Sequence, residues 1–203
     1  MDLFGHDATK NLLPGDGVVH YHGPILSDAA AQRYYAALLD TIAWKQDEAV
    51  IFGKRFVTAR KAAWYGDADY SYTYSGATKQ ALPWTPELLA LKALTEKLSG
   101  ATYNSCLLNL YHTGDEGMGW HSDDEKMLAR HAAIASLSFG AARTFRFKHK
   151  QTKATVSLTL ENGSLLVMQG ATQTHWLHSL PKTKQVTTPR INLTFRTMGA
   201  AQA

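Results

Sequence analysis

Residues 27–42, SDAAAQRYYAALLDTI, carry apolar side chains at helical spacing. The apolar positions recur at intervals of three and four residues: Tyr35, Leu38, Leu39 and Ile42. This spacing predicts an amphipathic helix whose apolar stripe faces a core. Ser27 or Asp28 can cap its amino end, because a short side-chain oxygen accepts a hydrogen bond from the first free backbone amides.

Residues 85–100, TPELLALKALTEKLSG, carry helix signals at both ends. Thr85 is a suitable N-cap, Pro86 stands at the first helical position, and Gly100 follows the last turn. The sequence therefore predicts a second helix that ends at residue 100.

Beyond residue 100 the pattern changes to short segments rich in β-branched and aromatic residues, separated by Gly, Asn or Pro. There are seven of them: SCLLNLYH (105–112), AAIASLSFG (132–140), RTFRFKHK (143–150), ATVSLTL (154–160), GSLLVMQG (163–170), THWLHSL (174–180) and RINLTFR (190–196). This density of short strands predicts an antiparallel sandwich or jelly roll, with the two helices covering one face. Residues 54–76 fit neither period, and we expect hairpins and loops at the surface there.

The strand predicted at 190–196 has one polar face and one apolar face, because side chains alternate along an extended chain. The polar face holds Arg190, Asn192, Thr194 and Arg196, and the apolar face holds Ile191, Leu193 and Phe195. If the polar face looks into a barrel, two guanidinium groups are confined together and need anionic partners. No carboxylates of the chain are patterned to match them, so a bound carboxylate is one interpretation. An edge strand whose polar face meets water is the alternative.

A similar face occurs on the strand predicted at 105–112. Asn109 and Tyr111 lie two residues apart and therefore point to the same side. They could donate hydrogen bonds to the same ligand, or they could be an ordinary amide and phenol satisfied within a sheet.

The stretch GMGWHSDDE (117–125) places His121 and Asp123 two residues apart, so both point the same way on an extended segment. A later histidine could close a metal site, and spacing alone does not separate His175 from His178. Two imidazoles and one carboxylate on one side of an ion form the facial triad of non-haem Fe(II) oxygenases, which leaves positions open for a cosubstrate and dioxygen. Zinc more often takes a closed tetrahedral set. An Fe(II) site beside two arginines suits 2-oxoglutarate, a dicarboxylate with a chelating keto group.

Charge and composition limit the kinds of partner and the cellular location that the sequence predicts. The formal net charge is +4, and eleven of the 21 Lys and Arg fall within 54–61, 143–153 and 182–184. Such clustering favours a nucleic-acid partner, with solvated basic loops as the plain alternative. A single cysteine predicts a reducing, cytoplasmic location, nucleoid-associated in a bacterium. The sequence predicts neither a membrane span nor a secretory signal.

Longer motifs carry a family resemblance. They are NLYHTGDEGMGWHSDDE (109–125), HWLHSLPK (175–182), PRINLTFR (189–196), IFGK (51–54), AAWYGD (62–67) and YTYSG (72–76). In these motifs and their spacing, from about residue 14 onward, the chain resembles the AlkB family of Fe(II)- and 2-oxoglutarate-dependent nucleic-acid dealkylases. IFGK and YTYSG make the resemblance closer to the branch that repairs duplex DNA than to the family at large.

The resemblance implies a mainly β fold with flanking α-helices around a double-stranded β-helix, or jelly-roll, core. It implies that Fe(II) is held by His121, Asp123 and His178, which decides against His175. It implies that 2-oxoglutarate is bound by Arg190 and Arg196 with help from Asn109, Tyr111 and Thr194. The implied reaction uses dioxygen to oxidise an N-linked methyl group on a base such as 1-methyladenine or 3-methylcytosine, with loss of formaldehyde.

The substrate side is also implied by resemblance. An enzyme that works on a base inside a duplex must extrude that base. Tyr74 would stack on the extruded base opposite the His121 ring, and Phe52 would fill the gap in the helix as an apolar wedge. Asp124 would lie at the exocyclic edge of the base. The full expected set is Phe52, Gly53, Lys54, Tyr72, Tyr74, Ser75, Asp124 and Glu125, the last supporting the site from behind.

A basic row is expected on the strand at 143–150. Alternation places Phe145 and Phe147 on one face and Arg146, Lys148 and Lys150 on the other, where the cations could follow a phosphate backbone. The duplex-acting relatives carry a longer basic arm after this strand and a Phe at the stacking position that is Tyr74 here.

We expect one domain over 1–203 and a monomer that binds alkylated DNA in duplex form. Residues 1–13 are expected to be flexible, 14–100 to hold the helices and nucleotide-recognition loops, and 101–198 to form the jelly-roll catalytic core. The alternatives are the same chemistry on single-stranded DNA or RNA, a 2-oxoglutarate hydroxylase acting on protein or a small molecule, and a non-enzymatic nucleic-acid binder with a degenerate barrel.

Overall fold

The computed structural model describes residues 7–51, 54–68, 70–74 and 77–199. Within them lie three helices, α1 (Asp28–Thr41), α2 (Pro86–Ser99) and α3 (Thr172–His175). The strands are β1 (Val18–Pro24), β2 (Lys45–Ile51), β3 (Lys54–Gly66), β4 (Ser71–Tyr74), β5 (Ala77–Gln80), β6 (Ser105–Tyr111), β7 (Met118–His121), β8 (Ile134–Gly140), β9 (Arg143–His149), β10 (Thr155–Leu160), β11 (Ser164–Gln169), β12 (Trp176–Leu180) and β13 (Arg190–Arg196). All seven strands predicted beyond residue 100 are confirmed.

The two predicted helices are confirmed together with their caps. Ser27 accepts a hydrogen bond from the backbone amide of Ala30 at the start of α1. Thr85 accepts one from the amide of Leu88 at the start of α2, and Gly100 ends that helix in the left-handed conformation at φ 68°.

The prediction that Leu39 belongs to the buried apolar stripe of α1 is wrong. Leu38 is fully buried and Ile42 is 5% exposed, but Leu39 is 42% exposed. The helix buries Ala31 together with Leu38, so the buried stripe is narrower than the sequence pattern and leaves Leu39 at its solvent edge.

The strands form two principal antiparallel sheets. Seven strands form the larger sheet in the order β1-β11-β8-β13-β6-β3-β2, four form the smaller sheet in the order β10-β9-β12-β7, and β4 pairs with β5 in a separate hairpin. The jelly-roll fold class is confirmed. Because β13 pairs with β6 on one side and β8 on the other, the alternative that it is an edge strand is wrong.

Two hydrophobic clusters lie on opposite faces of the larger sheet. The outer face of β13, with Ile191, Leu193 and Phe195, packs in one cluster with Leu38 of α1 and Leu88 of α2. The inner face meets the smaller sheet in a second cluster, built mainly from aromatic and long aliphatic side chains: Tyr111, Phe145, Phe147, Leu166, Met168 and Trp176. The polar face of β13 therefore looks into the space between the sheets.

The expectation of hairpins and loops at the surface over 54–76 is correct for the β4–β5 hairpin but wrong for β3, which is part of the larger sheet. The thirteen-residue strand β3 pairs with β2 and, over Lys61–Gly66, with β6. In the part of β3 that pairs with β6, Ala62 and Tyr65 are buried. Trp64 donates a hydrogen bond to the Ser105 hydroxyl at 2.8 Å. Charged residues next to this part of β3 interrupt the alternation of polar and apolar side chains. Pairing with β6 therefore decides the structure of the segment, and its local sequence pattern does not.

Strands β1 and β7 were not expected from the sequence. Strand β1 pairs with β11 and buries Val19 and Tyr21 in alternation. Just before it, the Asn11 side chain accepts hydrogen bonds from the Leu13 and Val19 amides, and Leu13 is 4% exposed. The last residues of the segment expected to be flexible are therefore packed on the sheet. None of the helices in the described ranges has the length and apolar character needed to cross a membrane.

Candidate metal centre and its pocket

Three candidate metal ligands meet at the edge of the smaller sheet. His121 ends β7, His178 lies on β12, and the pairing of these strands places the two residues opposite each other. Asp123 follows β7 in the next loop. One ligand atom from each residue lies within 4.8 Å of the others, and each histidine Nε2 lies 3.7 Å from Asp123 Oδ1. His175 lies outside this group, with its ring parallel to that of His149 at 6.2 Å.

Local hydrogen bonds orient the three groups. The Nδ1 of His121 lies 2.8 Å from the Gly119 carbonyl, so Nδ1 donates and Nε2 keeps its lone pair toward Asp123. The Asp123 backbone amide donates to Gln173 Oε1 at 2.9 Å. Gln173 belongs to α3, so a contact across fifty positions of the chain fixes the loop that carries the carboxylate.

The charges around the centre favour the metal-binding protonation states. Burial by itself raises the pKa of the Asp123 carboxyl, but Arg196 and the two histidines outweigh burial and hold that pKa below its ordinary value. Burial lowers the pKa of His178 to about 4, against the opposing pull of Asp123. At neutral pH the centre therefore offers an ionised carboxylate and a neutral imidazole.

The donor set fits Fe(II). Two imidazole nitrogens and one carboxylate oxygen converge on one side of a cavity, as in a facial triad with open positions. Among the described residues, no fourth His, Cys, Asp or Glu joins this cluster, so the closed tetrahedral set typical of structural zinc is not formed.

Arg190 lies buried in the same cavity without an acidic partner among the described residues. Its side chain is 2% exposed, and Nη2 donates to Ser138 Oγ and Asn192 Oδ1, both at 2.9 Å. Its Nε is buried and has no hydrogen-bond partner in the described structure. Burial lowers its pKa to about 10, which still leaves the group charged at neutral pH. A buried cation with an unsatisfied donor fits a bound carboxylate.

Arg196 has protein carboxylates beside it, so the expectation that none would match the two arginines is wrong for this one. Its Nη2 lies 3.4 Å from Asp123 Oδ2, and its Nη1 donates to Glu125 Oε1 at 3.1 Å. Burial alone would lower the pKa of Arg196, but the two carboxylates outweigh it and raise the pKa. Both acids come from the loop after β7, more than seventy residues earlier, and no periodicity relates that loop to β13.

All of the residues expected to bind 2-oxoglutarate line this one cavity. They are Asn109, Tyr111, Arg190, Thr194 and Arg196. The triad lines the same cavity, with Asp123 next to Arg196, and Met118, Phe145 and Leu180 add an apolar wall. The Arg190 guanidinium lies 5.6 Å from the centre of the Tyr111 ring. The arrangement can hold a metal and a small anion side by side.

The substrate residues are only partly placed. Phe52, Gly53 and Ser75 lie outside the described residues. Lys54 begins β3, and Tyr72 and Tyr74 lie on β4, which pairs with β5 in the small hairpin.

The two acids that follow Asp123 have different surroundings. Asp124 is exposed and accepts a hydrogen bond from the Ser122 hydroxyl at 3.1 Å. The Glu125 carboxylate contacts Arg196 and so joins the ion pairs beside Asp123.

The expectation that Lys150 continues the outward basic row is wrong. Its Nζ donates to Ser122 Oγ at 3.1 Å and to the Gln173 carbonyl at 2.9 Å. Lys150 follows the last residue of β9, where the chain turns and alternation ends. It therefore ties α3 to the loop that carries Asp123.

Two further contributors, Gln173 and Arg143, were not predicted as part of the site, although alternation along β9 places Arg143 on the same face as Phe145. Gln173 reaches Asp123 only through the tertiary fold. Arg143, buried at 2% exposure, donates to the carbonyls of Glu116 and Pro181, both at 2.9 Å, and so joins the loop before β7 to the chain after β12. Asn192, in contrast, was visible from the alternation of β13.

Comparisons with known proteins agree with this geometry. The model of the 2OG-Fe(II) oxygenase superfamily matches residues 17–196. The chain is 46% identical over 154 residues to DNA oxidative demethylase ALKBH2 of Homo sapiens, a match that covers 72% of this chain and 59% of that protein. It is 42% identical over 171 residues to alpha-ketoglutarate-dependent dioxygenase alkB homolog 3 of Homo sapiens, covering 79% and 59%. The chain thus spans about three fifths of the length of these relatives.

A solved structure extends the comparison to the fold. "The structure of OsALKBH1" matches with a TM-score of 0.57 at 17% identity, covering 91% of this chain and 99% of that one. At that identity the likeness bears on the fold alone.

Proposed function

The chain belongs to the 2OG-Fe(II) oxygenase superfamily and, within it, to the AlkB family, and on that premise we propose that it demethylates N-alkylated bases in DNA. The observation that carries this proposal is one cavity with two halves. Three convergent metal ligands lie within 4.8 Å of one another, and they share the cavity with Arg190, a buried cation. Relatives named DNA oxidative demethylases support the choice of substrate.

The triad would hold Fe(II) through His121, Asp123 and His178. When bound, the iron supplies the activation of dioxygen, with 2-oxoglutarate as the reductant. The protein prepares this centre by keeping Asp123 ionised and the His121 Nε2 lone pair free, as the contacts with Arg196 and Gly119 favour.

The cosubstrate would occupy the rest of the cavity. Arg190 would bind one carboxylate with its planar fork, and Tyr111, Asn109 and Thr194 line the same space. Arg196 would serve the end near the metal, where it already neutralises Asp123. The apolar wall of Met118, Phe145 and Leu180 limits water around the reacting groups.

The reaction balances with one dioxygen for each methyl group. 2-Oxoglutarate loses carbon dioxide and becomes succinate, which takes up one oxygen atom. The other oxygen atom enters a C–H bond of the N-methyl group. The resulting N-hydroxymethyl group loses its hydroxyl proton to solvent as its C–N bond breaks, which releases formaldehyde and leaves the electron pair of that bond on the base nitrogen.

For the form of the substrate, the resemblance favours a duplex from which the damaged base is extruded. Tyr74 would stack on that base, Phe52 would fill the gap it leaves, and Asp124 would lie at its exocyclic edge. The exposed position of Asp124 is compatible with contact to a substrate outside the cavity.

A second candidate is the same chemistry on single-stranded DNA or RNA. One observation favours it: Trp120, next to the metal ligand His121, is 40% exposed and has the Lys148 ammonium 4.5 Å from its ring centre. Exposed aromatic rings beside cations are typical of surfaces that bind single strands.

The direct test mixes the protein with Fe(II) and 2-oxoglutarate without oxygen, then admits oxygen in the presence of oligonucleotides that carry 1-methyladenine or 3-methylcytosine. Mass spectrometry of the oligonucleotides should show loss of the methyl group. An unchanged mass for both lesions, in single strands and in duplexes, would contradict the proposal.

A further inference from the structure

The outer surface of the smaller sheet carries a row of cations and hydroxyl groups. On β9, Arg146 and Lys148 point outward while Phe145 and Phe147 are buried. On the neighbouring strand β10, Ser157 pairs with Arg146 and Thr155 pairs with Lys148, and both hydroxyl residues are exposed. On the edge strand β7, Trp120 is exposed beside Lys148. We call this surface the basic face: Trp120, Arg146, Lys148, Thr155 and Ser157.

The charge of the basic face has one sign. The four strands of the smaller sheet, β7, β9, β10 and β12, contain no Asp or Glu. An ordinary solvated surface mixes both signs of charge. Cations next to hydroxyl donors suit phosphate oxygens, which accept hydrogen bonds from both.

A groove on this surface continues toward the metal centre. It is lined by Trp120, Arg146 and Lys182, together with Met118 and Leu180. Met118 and Leu180 also line the metal-binding cavity. A polymer chain that enters the cavity with one residue can therefore lie along the groove with the next.

The exposed indole ring indicates the form of that polymer. A base stacks on an aromatic side chain only when one of its faces is open, whereas neighbours cover both faces of a base within a duplex. We propose that the basic face binds a single-stranded segment of nucleic acid next to the damaged nucleotide, with one base stacked on Trp120 and phosphates against Arg146 and Lys148. This rests on the proposed function only in taking the substrate to be a nucleic acid.

The experiment measures binding rather than turnover. The full chain with Fe(II) and 2-oxoglutarate, kept free of oxygen, is titrated into fluorescently labelled, unmethylated oligothymidylate and into an unmethylated duplex of equal length. Anisotropy gives the affinity over a series of salt concentrations. The variants are Trp120→Ala, Trp120→Phe and the pair Arg146→Gln with Lys148→Gln. Arg33→Gln, which removes an exposed cation from α1, is the matched control.

We expect Trp120→Ala to weaken single-strand binding about tenfold, as the loss of one base–aromatic stack should. Trp120→Phe keeps an aromatic ring and should stay within about threefold of the native affinity. The double substitution should reduce the slope of log affinity against log salt by about 1.4, because each phosphate contact on a single strand contributes about 0.7. Arg33→Gln should change neither quantity.

Two results would overturn the proposal. An equal loss of affinity for duplex and single strand with Trp120→Ala would show that the ring does not stack on an open base. Unchanged single-strand affinity and salt slope in all variants would remove the basic face from binding altogether. Thermal melting checks that each variant is folded, and the salt slope of the Arg146→Gln with Lys148→Gln variant keeps the test decisive if Trp120→Ala is unstable. Because the oligonucleotides carry no methyl group, a failure of demethylation leaves this result unaffected.

Discussion

The metal centre and the Arg190 pocket share one cavity but are built from different parts of the sheet architecture. His121 ends a four-residue strand at the edge of the smaller sheet, and Asp123 lies in the loop that follows it. Arg190 begins β13, which has hydrogen-bonded partners on both sides in the seven-stranded sheet. The pocket is therefore fixed by strand register, whereas the metal centre depends on side chains that arrive from distant segments.

This difference has a consequence for how each half responds to mutation. The ligand Asp123 is held by Gln173 through its backbone and by Arg196 through its carboxylate, so removing a supporting residue can move the ligand. Arg190 is held by Ser138 and Asn192, which lie on paired central strands. Edge strands and loops open more readily than central strands, and the metal half should be the more sensitive to its supports.

The largest effect is expected from removing a metal ligand. His178→Ala should abolish both tight Fe(II) binding and demethylation, because two ligands no longer form the triad. His175→Ala is the matched control, since His175 lies outside the cluster and should keep both properties. Calorimetric titration with Fe(II) under anaerobic conditions measures the first property, and formaldehyde release measures the second. Full activity in His178→Ala would show that His178 is not a metal ligand.

The next largest effect should separate the pocket from the metal centre. Arg190→Lys keeps the charge but loses the planar fork, so the KM for 2-oxoglutarate should rise by about 10- to 100-fold. Fe(II) affinity should stay within about twofold, because Arg190 contacts Ser138 and Asn192 rather than a metal ligand. Steady-state succinate formation measures the KM. A loss of Fe(II) affinity with an unchanged KM would show that the two halves are assigned the wrong way round.

A smaller effect on the metal half is expected from Gln173. Gln173→Ala removes the acceptor for the Asp123 amide and should weaken Fe(II) binding about tenfold, as the loss of a ligand-orienting contact does. Gln151→Ala, at an exposed site after β9, is the control. At saturating Fe(II) the KM for 2-oxoglutarate should be nearly native. Equal Fe(II) affinities for Gln173→Ala and Gln151→Ala would remove Gln173 from the support of the centre.

The most selective effect is expected at Phe52. If Phe52 fills the gap left by the extruded base, as proposed, Phe52→Ala should reduce demethylation of duplex substrates roughly tenfold, because nothing then offsets the lost stacking. The demethylation rate on single strands should stay within about twofold of the native rate. In a single strand, extrusion of the damaged base leaves no gap in a helix to be filled. Paired assays on the same lesion in both forms measure the ratio. An equal loss on both forms would contradict the wedge.

Local pattern predicted which residues of the pocket share a face, and the family resemblance assigned those faces to a pocket. Alternation along residues 190–196 and 105–112 placed the arginines, Asn109 and Tyr111 on shared faces, and pairing of β13 with β6 joins those faces. The same rule failed at β3, where a charged segment pairs with β6 despite its irregular pattern. It also failed to predict the orientation of Lys150, which lies one residue beyond the end of β9.

The metal half was less accessible to local reasoning. The His121 and Asp123 pair was visible, but the residues alone left His175 and His178 open until longer motifs were compared. Gln173, and the contact of Arg196 with Asp123 and Glu125, arise only when a loop, a short helix and a central strand meet in space. No spacing rule within one element connects such segments.

The stoichiometry of the complete reaction tests the central claim most directly. An oligonucleotide that carries 1-methyladenine is incubated with the protein, Fe(II), 2-oxoglutarate and oxygen, and succinate, formaldehyde and repaired base are quantified together. The proposed function predicts equal amounts of all three products, and none of them from the His178→Ala variant. Succinate without formaldehyde and without repaired base would show that the centre oxidises 2-oxoglutarate but does not act on methylated bases, which would contradict the proposed function.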